Sequence, residues 1–346
     1  MDYQLLPRFL QVELTYGCNS ACTFCYNPNH RRQVDDSVRF RILHAVNDYA
    51  IDHVQLIGGE VTILPQLPAY LDALDQVRWK SIVTNGRIFV PEIIGKVDEI
   101  YLSLHGDATT HETITRAEGS FKVIEESIRG YVGAGIEVHS DTVLTKRNAD
   151  QVFDIAAHAQ SLGMSSLFLN IYQPAGLGAR LKNDLSPSIE QIRGAITQML
   201  AAREELGFQM QFGTSTPFCL DERLVTHELA FVCGTGDWFA SIDPWGELRI
   251  CNQSKRSYGN MLDEPLGKIW HKQEIANEYR DLSWMGPPCG ACEFRNDCLG
   301  GCRIGDDGAP RLDPIVQRDA DKLVSPERLT ELRQIYETRS YDQPYV

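Results

Sequence analysis

Three cysteines near the N-terminus have a spacing suited to redox or metal chemistry. Cys18, Cys22 and Cys25 form a CX3CX2C pattern within the stretch ELTYGCNSACTFCYN. This spacing allows one short loop to turn three thiolates toward a single iron–sulfur cube, and three ligands for four irons leave one iron open to another ligand. Part of a zinc site is the alternative, although structural zinc takes four ligands and commonly uses CX2C pairs.

Seven more cysteines fall in the C-terminal third of the chain. The last four are spaced CX2CX5CX3C, and Gly246 precedes Cys251 in a GX4C arrangement. The N-terminus has no export signal, so clustered cysteines indicate metal ligation rather than disulfides. A zinc ribbon is the alternative to iron–sulfur ligation here as well. The seven are Cys219, Cys233, Cys251, Cys289, Cys292, Cys298 and Cys302.

Composition and charge narrow the class of protein. An apolar content of 43% is ordinary for a packed globular chain. The net charge of -14 argues against a nucleic-acid binder, because phosphate recognition needs clustered Lys and Arg. No apolar run approaches the length of a membrane helix. We therefore expect a soluble, cytoplasmic protein with neither a nucleic acid nor a membrane as partner.

Apolar and amphipathic runs alternate through the first two thirds of the chain. Six βα repeats are expected by about residue 205, which predicts an α/β protein with a parallel sheet and right-handed crossovers. Six units favour an open, partial (β/α)6 TIM-like barrel over a closed eight-stranded one. The expected strands are 9–14, 53–57, 80–83, 99–104, 136–144 and 165–171, and the expected helices include 35–49, 121–132 and 149–162.

The sequence divides into three parts that differ in cysteine content and in the length of their expected elements. Residues 1–210 are expected to form the barrel, residues 211–310 a cysteine-rich domain with shorter elements, and residues 311–346 a helical tail. A hairpin is expected over 238–250, turning at Pro244-Trp245-Gly246, and a helix over 326–339.

Glycine and polar residues follow the expected strands. The cysteine loop follows the first strand, Gly58-Gly59-Glu60 the second, Thr84-Asn85-Gly86 the third and His105-Gly106 the fourth. Loops after the strands build the active site of such barrels, so these residues are expected to lie together.

The cysteine loop, with Tyr26 directly after the third cysteine, resembles the signature of the radical S-adenosylmethionine (SAM) enzymes. The resemblance implies that Cys18, Cys22 and Cys25 hold a [4Fe-4S] cluster whose open iron binds SAM. It also implies that an electron from the cluster cleaves SAM to give a 5'-deoxyadenosyl radical.

The same resemblance suggests residues that bind SAM. Gly58 and Gly59 would let the backbone approach the methionine amine, and the backbone at Glu60 would accept a hydrogen bond from it. Tyr26 is expected beside the adenine.

Polar residues after the third and fourth strands are expected near the SAM carboxylate and ribose. They are Asn85 and Ser103. Arg116 would pair with the carboxylate through its guanidinium fork, the alternative being an ordinary exposed arginine. His105 stands where many relatives have Asp, in SLHG rather than SLDG, and its role is open. No catalytic acid or base is assigned.

The C-terminal cysteine pattern resembles the SPASM domain, which holds two auxiliary iron–sulfur clusters. The resemblance implies a first cluster on Cys233, Cys251 and Cys302, with Cys219 as the candidate fourth ligand. The second cluster would take Cys289, Cys292 and Cys298. No cysteine follows Cys302, so the second cluster is expected to keep an open iron or to use an oxygen ligand. The candidates are Asp306, Asp307 and Asp313.

Together these features resemble peptide-modifying maturases, including those of the pyrroloquinoline quinone precursor and of mycofactocin. The resemblance implies an oxidative cross-link, decarboxylation or similar change to a ribosomally made peptide. It also implies an electron donor such as flavodoxin or ferredoxin. Many peptide maturases carry an N-terminal leader-recognition domain, and Cys18 lies too close to the start for one, which weighs against this function. A separate leader-peptide-binding protein is a further expected partner. Asn252 follows Cys251 where sulfatase-maturing relatives commonly have Asp, which disfavours that activity.

Two other functions stay open. The first is a radical SAM oxidoreductase acting on a small molecule such as a sugar, a porphyrin side chain or an antibiotic precursor. The second is an inactive or electron-carrying iron–sulfur protein, which would need neither the GGE and TNG sequences nor Arg116.

Overall fold

The computed structural model describes residues 6–305 and 309–338. Within them, parallel strands alternate with helices through the first two thirds of the chain, as the sequence predicts. The strands are β1 (Phe9–Thr15), β2 (His53–Gly58), β3 (Trp79–Thr84), β4 (Glu99–Ser103), β5 (Glu137–Leu144), β6 (Ser166–Ile171), β7 (Gln209–Phe212), β8 (Phe239–Ile242), β9 (Glu247–Arg249) and β10 (Ser257–Asn260).

The helices lie mainly in the crossovers between parallel strands. They are α1 (Asp36–Asp48), α2 (Leu67–Asp72), α3 (Ala108–Thr115), α4 (Ser120–Gly133), α5 (Val152–Ser161), α6 (Lys182–Leu185), α7 (Ile189–Leu206), α8 (Arg223–Thr226), α9 (Leu266–Trp270), α10 (Gln273–Ile275), α11 (Arg295–Cys298), α12 (Pro314–Arg318) and α13 (Pro326–Glu337). Short 3₁₀ or π turns lie at Val61–Ile63, Pro91–Ile93, Gly178–Leu181, Phe218–Leu220, Ala276–Arg280 and Ala320–Lys322.

One sheet runs through the whole molecule. Its strand order is β10-β9-β8-β1-β2-β3-β4-β5-β6-β7, and each pair from β1 to β7 is parallel. The predicted α/β class and partial parallel barrel are thus confirmed.

Two strands differ from the sequence prediction. The sheet has a seventh barrel strand, β7, which is only four residues long and crosses the expected boundary at residue 210. In addition, β8 pairs in parallel with β1, with Phe9 opposite Phe239, so the expected hairpin extends the barrel sheet. Such long-range pairing is not visible in local sequence patterns. The division of the chain into three domains stays a prediction.

Helices cover the barrel with apolar stripes. In α4, Ile124, Ile128 and Tyr131 lie three or four residues apart and are fully buried, as expected for one face of an amphipathic helix. The long helix α7 begins with a capping box in which the side chains of Ser188 and Gln191 bind each other's backbone N–H groups. This packing holds the strands so that their carboxyl ends, with the attached loops, share one face of the barrel.

The C-terminal region ends in a helix, as predicted. Helix α13 runs from Pro326 to Glu337, capped by the Ser325 side chain; Arg339, at the end of the predicted helix, lies outside the described residues. Across residues 6–305 and 309–338, no helix has both the length and the apolar character needed to span a bilayer.

Candidate functional site

A cavity of about 330 Å³ lies at the carboxyl ends of the barrel strands, and we call it the central cavity. Loops from the barrel form one side, and residues of the cysteine-rich third form the other. Six cysteines from both parts border this single space: Cys18, Cys22, Cys25, Cys233, Cys251 and Cys302. The sequence predicted that the strand-end loops would meet, but not that these two sets of cysteines face the same cavity.

Two glycines after β2 hold the cysteine loop in place. The Gly59 N–H donates to the Thr15 carbonyl at 2.7 Å, and the Glu60 N–H donates to the Gly17 carbonyl at 2.9 Å. A Cβ at Gly58 would lie 2.3 Å from the Thr15 oxygen, and one at Gly59 would lie 2.2 Å from the Gly17 oxygen. Only glycine fits at these two positions, because the backbone here lies against the backbone of the cysteine loop. This packing is a second reason for glycine beside the predicted approach to SAM.

The Glu60 carboxylate ties β2 to β3. One oxygen accepts from the Thr62 N–H and from the hydroxyls of Thr62 and Thr84, and the other accepts from the Asn85 N–H at 2.6 Å. The side chain is buried and does not border the central cavity. Burial raises the pKa of Glu60, and these hydrogen bonds counteract the increase. Its side chain thus positions the loop after β3.

Asn85 and its neighbour Arg87 reach back to the cysteine loop. The Asn85 side-chain amide donates to the Asn19 side chain at 2.7 Å, and Asn85 borders the central cavity. The Arg87 guanidinium donates to the Asn19 carbonyl. The sequence analysis missed Arg87, although it directly follows the TNG sequence that drew attention to this loop.

The loop after β6 packs against the other side of the cysteine loop. The Gly178 N–H donates to the Cys25 carbonyl at 2.7 Å, and a Cβ at Gly176 would lie 1.8 Å from the Tyr26 carbonyl oxygen. The Tyr26 hydroxyl donates to the Gly58 carbonyl at 3.3 Å, and its ring borders the central cavity. The cysteine loop is therefore clamped between the ends of β2 and β6.

The three N-terminal thiols fit a bound iron–sulfur cluster. Burial raises the pKa of Cys22, as do the neighbouring thiols of Cys25 and Cys18; burial also raises the pKa of Cys25, to about 11. Three thiolates this close together need compensating positive charge, which iron ions supply. The His30 Nε2 lies 3.2 Å from the Cys25 sulfur and is placed to donate a hydrogen bond to it.

Polar side chains on β4, β5 and β6 form the barrel wall of the cavity. Ser103 lies opposite Asp141 in the sheet register, and the Asn170 side-chain amide donates to the Asp141 carboxylate. All three border the central cavity. Burial raises the pKa of Asp141 to about 6, and the hydrogen bond from Asn170 opposes this increase. The sequence analysis missed Asp141 and Asn170, although both lie within expected strands.

The structure does not bring Arg116 to the cavity. It caps the C-terminus of α3 in a left-handed conformation, with φ of 53°, and its side chain is exposed. This corrects the expected pairing with the SAM carboxylate and agrees with the alternative of an exposed arginine.

His105 lies behind the cavity wall. The ring is buried, packs edge-on against Phe24 with centroids 4.8 Å apart, and accepts a hydrogen bond from the Val143 N–H. Burial and the nearby His111 lower its pKa well below the usual range. Since Phe24 borders the cavity, His105 acts as a packing support for the cysteine loop.

The seven C-terminal cysteines separate into two groups. Cys233, Cys251 and Cys302 form the first auxiliary group. Burial and the thiols of Cys233 and Cys302 raise the pKa of Cys251, to about 12. The second auxiliary group consists of Cys219, Cys289, Cys292 and Cys298, none of which borders the central cavity.

The position of Cys219 corrects the expected assignment. Burial and then the thiols of Cys298, Cys289 and Cys292 raise its pKa well above the usual value, so Cys219 joins the second group rather than the first. The second group then has four cysteines and the first has three. Only the first group, with three cysteines, faces the central cavity. Sequence spacing missed this because Cys219 is brought to the quartet by tertiary packing against Phe218 and Phe294.

The Asp313 carboxylate, a candidate oxygen ligand, is hydrogen-bonded to two backbone N–H groups. One carboxylate oxygen accepts from the Cys302 N–H at 2.9 Å, and the other accepts from the Ile315 N–H at the start of α12. It thus fixes the backbone of a first-group cysteine. The other two candidates, Asp306 and Asp307, lie outside the described residues.

Cationic side chains lie beside the first auxiliary group. The buried guanidinium of Arg303 donates to the Thr235 and Tyr279 carbonyls. Burial lowers the pKa of Arg303, and the Cys233 and Cys302 thiols oppose that decrease. Over residues 6–305 and 309–338, no three His, Cys, Asp or Glu side chains converge on one metal ion. A four-iron cluster makes no such demand, because each cysteine binds a different iron.

The fold, the cysteine loop and the shared cavity fit an iron–sulfur enzyme of the radical SAM class. Residues 12–159 match the model of the radical SAM superfamily. The chain is a radical SAM enzyme, related over most of its length to SPASM-containing peptide maturases. As a member of this class it uses SAM and a [4Fe-4S] cluster.

Two relatives show the extent of the similarity. Mycofactocin maturase MftC of Mycolicibacterium smegmatis is 27% identical over 314 residues, covering 86% of this chain and 78% of that protein. A PqqA peptide cyclase of Xanthomonas euvesicatoria is 26% identical over 335 residues, covering 90% of this chain and 88% of that protein.

Solved structures have the same fold. Streptococcus suis SuiB bound to its precursor peptide SuiA superposes with a TM-score of 0.75 at 16% identity, over 91% of this chain and 77% of that one. The anSMEcpe enzyme with bound AdoMet and the Cp18Cys peptide superposes with a TM-score of 0.70 at 16% identity, over 96% of this chain and 99% of that one.

Proposed function

We propose that this enzyme oxidatively modifies a ribosomally made peptide, by cross-linking, decarboxylation or a similar change. When bound, SAM and its cluster supply a radical that abstracts a substrate hydrogen, and auxiliary clusters accept an electron from the substrate. The similarity to two peptide-modifying enzymes over most of the chain supports a peptide as substrate.

One observation carries the proposal. The N-terminal trio and the first auxiliary group border the same cavity, so a substrate there contacts both the radical source and the electron acceptor. The trio would hold the SAM cluster. The first auxiliary group would hold a cluster with one iron lacking a cysteine, and the second group a cluster with four cysteines.

The chain's own residues shape the space between these clusters. Asn85, Ser103 and Tyr26, which border the cavity, are proposed to bind SAM from the barrel side. Gly58 and Gly59, which also border it, are proposed to lie at the methionine amine together with the backbone of the adjoining Glu60. Flavodoxin or ferredoxin is the proposed electron donor. A separate leader-peptide-binding protein is a further proposed partner.

The first experiment tests the radical site. The variant with Cys18, Cys22 and Cys25 all replaced by Ala should form no 5'-deoxyadenosine, yet keep most of its auxiliary iron. Iron analysis and chromatography of the reaction measure both. SAM cleavage by the triple variant, or tightly bound zinc in place of auxiliary iron, would contradict the proposal.

The second experiment tests the substrate. Reconstituted, reduced enzyme is mixed with SAM and with short peptides encoded beside its own gene, and the products are examined by mass spectrometry. A peptide that loses hydrogen or carbon dioxide, together with formation of 5'-deoxyadenosine, supports the proposal. Conversion of sugars, porphyrins or antibiotic precursors, with every such peptide unchanged, would replace it with the small-molecule alternative.

A further inference from the structure

A second cavity, of about 640 Å³, lies beside the central cavity, and we call it the basic cavity. Loops after β5 and β6 form one side, and the segments after β9 and around α12 form the other. No carboxylate in the described part of the chain borders it, although the protein carries a net charge of -14. Its cationic residues are Lys146, Lys182, Lys255, Arg311 and Arg318.

Three of these cations have no carboxylate partner among residues 6–305 and 309–338. Two of them, Lys182 and Lys255, are exposed. The Lys146 ammonium donates to the Asn183 carbonyl at 2.7 Å, which leaves its positive charge uncompensated. Arg318, by contrast, is paired with Asp319. Like charges gathered around a concave surface create a positive potential that attracts anions.

The basic cavity adjoins the central cavity. Four residues border both spaces: Gln173, Gln253, Cys302 and Ile304. Cys302 belongs to the first auxiliary group, so a molecule in the basic cavity would lie against the proposed electron acceptor. The two cavities therefore lie side by side at these four residues.

We propose that the basic cavity binds acidic side chains of the peptide substrate, close to the residue that is modified. This inference rests on the proposed function and specifies its substrate as a peptide with Asp or Glu beside the reacting position. An acidic electron-transfer protein is the competing occupant. The concave shape and the shared wall with the central cavity favour an inserted chain segment over docking of a folded surface.

The test measures binding of labelled peptides by fluorescence anisotropy, with cluster-loaded full-length enzyme and SAM. The probes are short peptides of alternating Gly and Glu, and matched peptides with Gln or Lys in place of Glu. The Glu peptide should bind about tenfold more tightly than the Gln peptide, with binding weakened by salt. Lys182→Glu combined with Lys255→Glu should reduce that affinity about tenfold.

A matched control makes the same change of charge elsewhere. Arg41→Glu with Lys122→Glu alters exposed cations of α1 and α4 that border neither cavity, and it should leave peptide binding unchanged. Formation of 5'-deoxyadenosine without peptide should be the same in all variants. Equal binding of the Glu and Gln peptides, or an equal loss in the control, would overturn the inference.

Two further outcomes separate the inference from the proposed function. If a native peptide is modified at the same rate after its acidic residues are replaced by amides, the basic cavity has no such role, and the peptide function stands. If the Lys182 and Lys255 changes slow reduction by flavodoxin but not peptide binding, the cavity belongs to the electron donor, and the inference fails.

Discussion

Asp141 is a carboxyl group on the cavity wall whose pKa burial raises to about 6. The native state therefore binds its proton more tightly than the unfolded chain does. The contribution of this group to stability is fully present below the unfolded pKa, near 3.8, and is lost as the pH rises through about 6. Around neutral pH, the ionised form destabilises the folded protein.

We expect Asp141→Asn to have little effect below about pH 3.8, to stabilise the enzyme increasingly as the pH rises from there to about 6, and to give its full gain above that pH. The asparagine oxygen can still accept the Asn170 hydrogen bond, and the gain should be about 1–3 kcal/mol after allowance for contact with the cavity solvent. Unfolding midpoints across this pH range measure it. Asp184→Asn, at an exposed carboxyl, is the control. A gain that does not depend on pH would contradict the assignment of this ionisation to Asp141.

Some residues of the site could be identified from the sequence, and others could not. The CX3CX2C trio and GGE were recognisable because their spacing is local. Arg116 was misplaced because nothing in the sequence tells whether a helix-terminal arginine turns toward a cavity. Asp141 was overlooked because a carboxylate inside a strand looks like any polar residue until the sheet register places it opposite Ser103.

Among the elements, the turn after β2 controls the cysteine loop. We expect Gly59→Ala to reduce cluster occupancy at the N-terminal trio and to decrease SAM cleavage at least several-fold, because the new methyl group meets the Gly17 backbone at 2.2 Å. Overpacking of this kind costs about 1–3 kcal/mol. Iron content and 5'-deoxyadenosine formation are the measurements.

Gly133→Ala, within α4, is the matched control for this change. A Cβ there has no neighbour within 4 Å, so the substitution should be neutral or slightly stabilising. Equal loss of SAM cleavage in both variants would show that the contact at Gly59 is not the cause.

The short turn at Phe218–Leu220 brings Cys219 to the second auxiliary group. We expect Cys219→Ala to lower the iron content and to change the spectrum of the buried cluster, while the cavity-facing cluster still responds to an added small thiol. The paired variant Cys233→Ala should instead change the cavity-facing cluster and leave the spectrum of the buried cluster as it is. Electron paramagnetic resonance in the background lacking the N-terminal trio distinguishes the two clusters. A thiol response abolished by Cys219→Ala would return this cysteine to the first group.

Elements were predictable to different degrees. Alternation of apolar and amphipathic runs was sufficient for β1 to β6 and for helices α1, α4 and α5, whereas the longest helix, α7, was not given a range. The four-residue strand β7 is too short to show a period, and its place in the sheet is set by pairing with β6. The grouping of the seven C-terminal cysteines depends on loops packed by tertiary contacts, so the sequence did not show that Cys219 lies with Cys289, Cys292 and Cys298.

Across the whole molecule, a buried ion pair joins the two cluster-bearing regions. Glu13 on β1 pairs with Arg249 on β9, and both side chains are almost completely buried. The Arg249 guanidinium also donates to the Asn252 and Ser254 carbonyls, and burial lowers its pKa to about 10. The pair therefore connects the strand before the N-terminal trio with the strand before Cys251.

We expect Arg249→Met to destabilise the protein by about 3–5 kcal/mol, because it leaves the Glu13 carboxylate buried without a counter-charge. Adding Glu13→Gln should recover a substantial part of that loss, since the amide carries no charge. Chemical unfolding of the four members of this double-mutant cycle gives the coupling energy. Additive effects of the two substitutions would mean that the pair does not join the regions energetically.

The pairing of β1 with β8 also determines when the barrel can be completed during synthesis. β1 is synthesised first, but the backbone groups along one of its edges form their hydrogen bonds with β8, which begins at Phe239. The nascent barrel therefore exposes an unpaired strand edge until most of the chain has left the ribosome. Pairing between strands so far apart in sequence has a large entropic cost of loop closure, which slows folding. A chain truncated after β7 should therefore aggregate rather than accumulate as an isolated barrel, and slow, cool expression should favour the full-length enzyme.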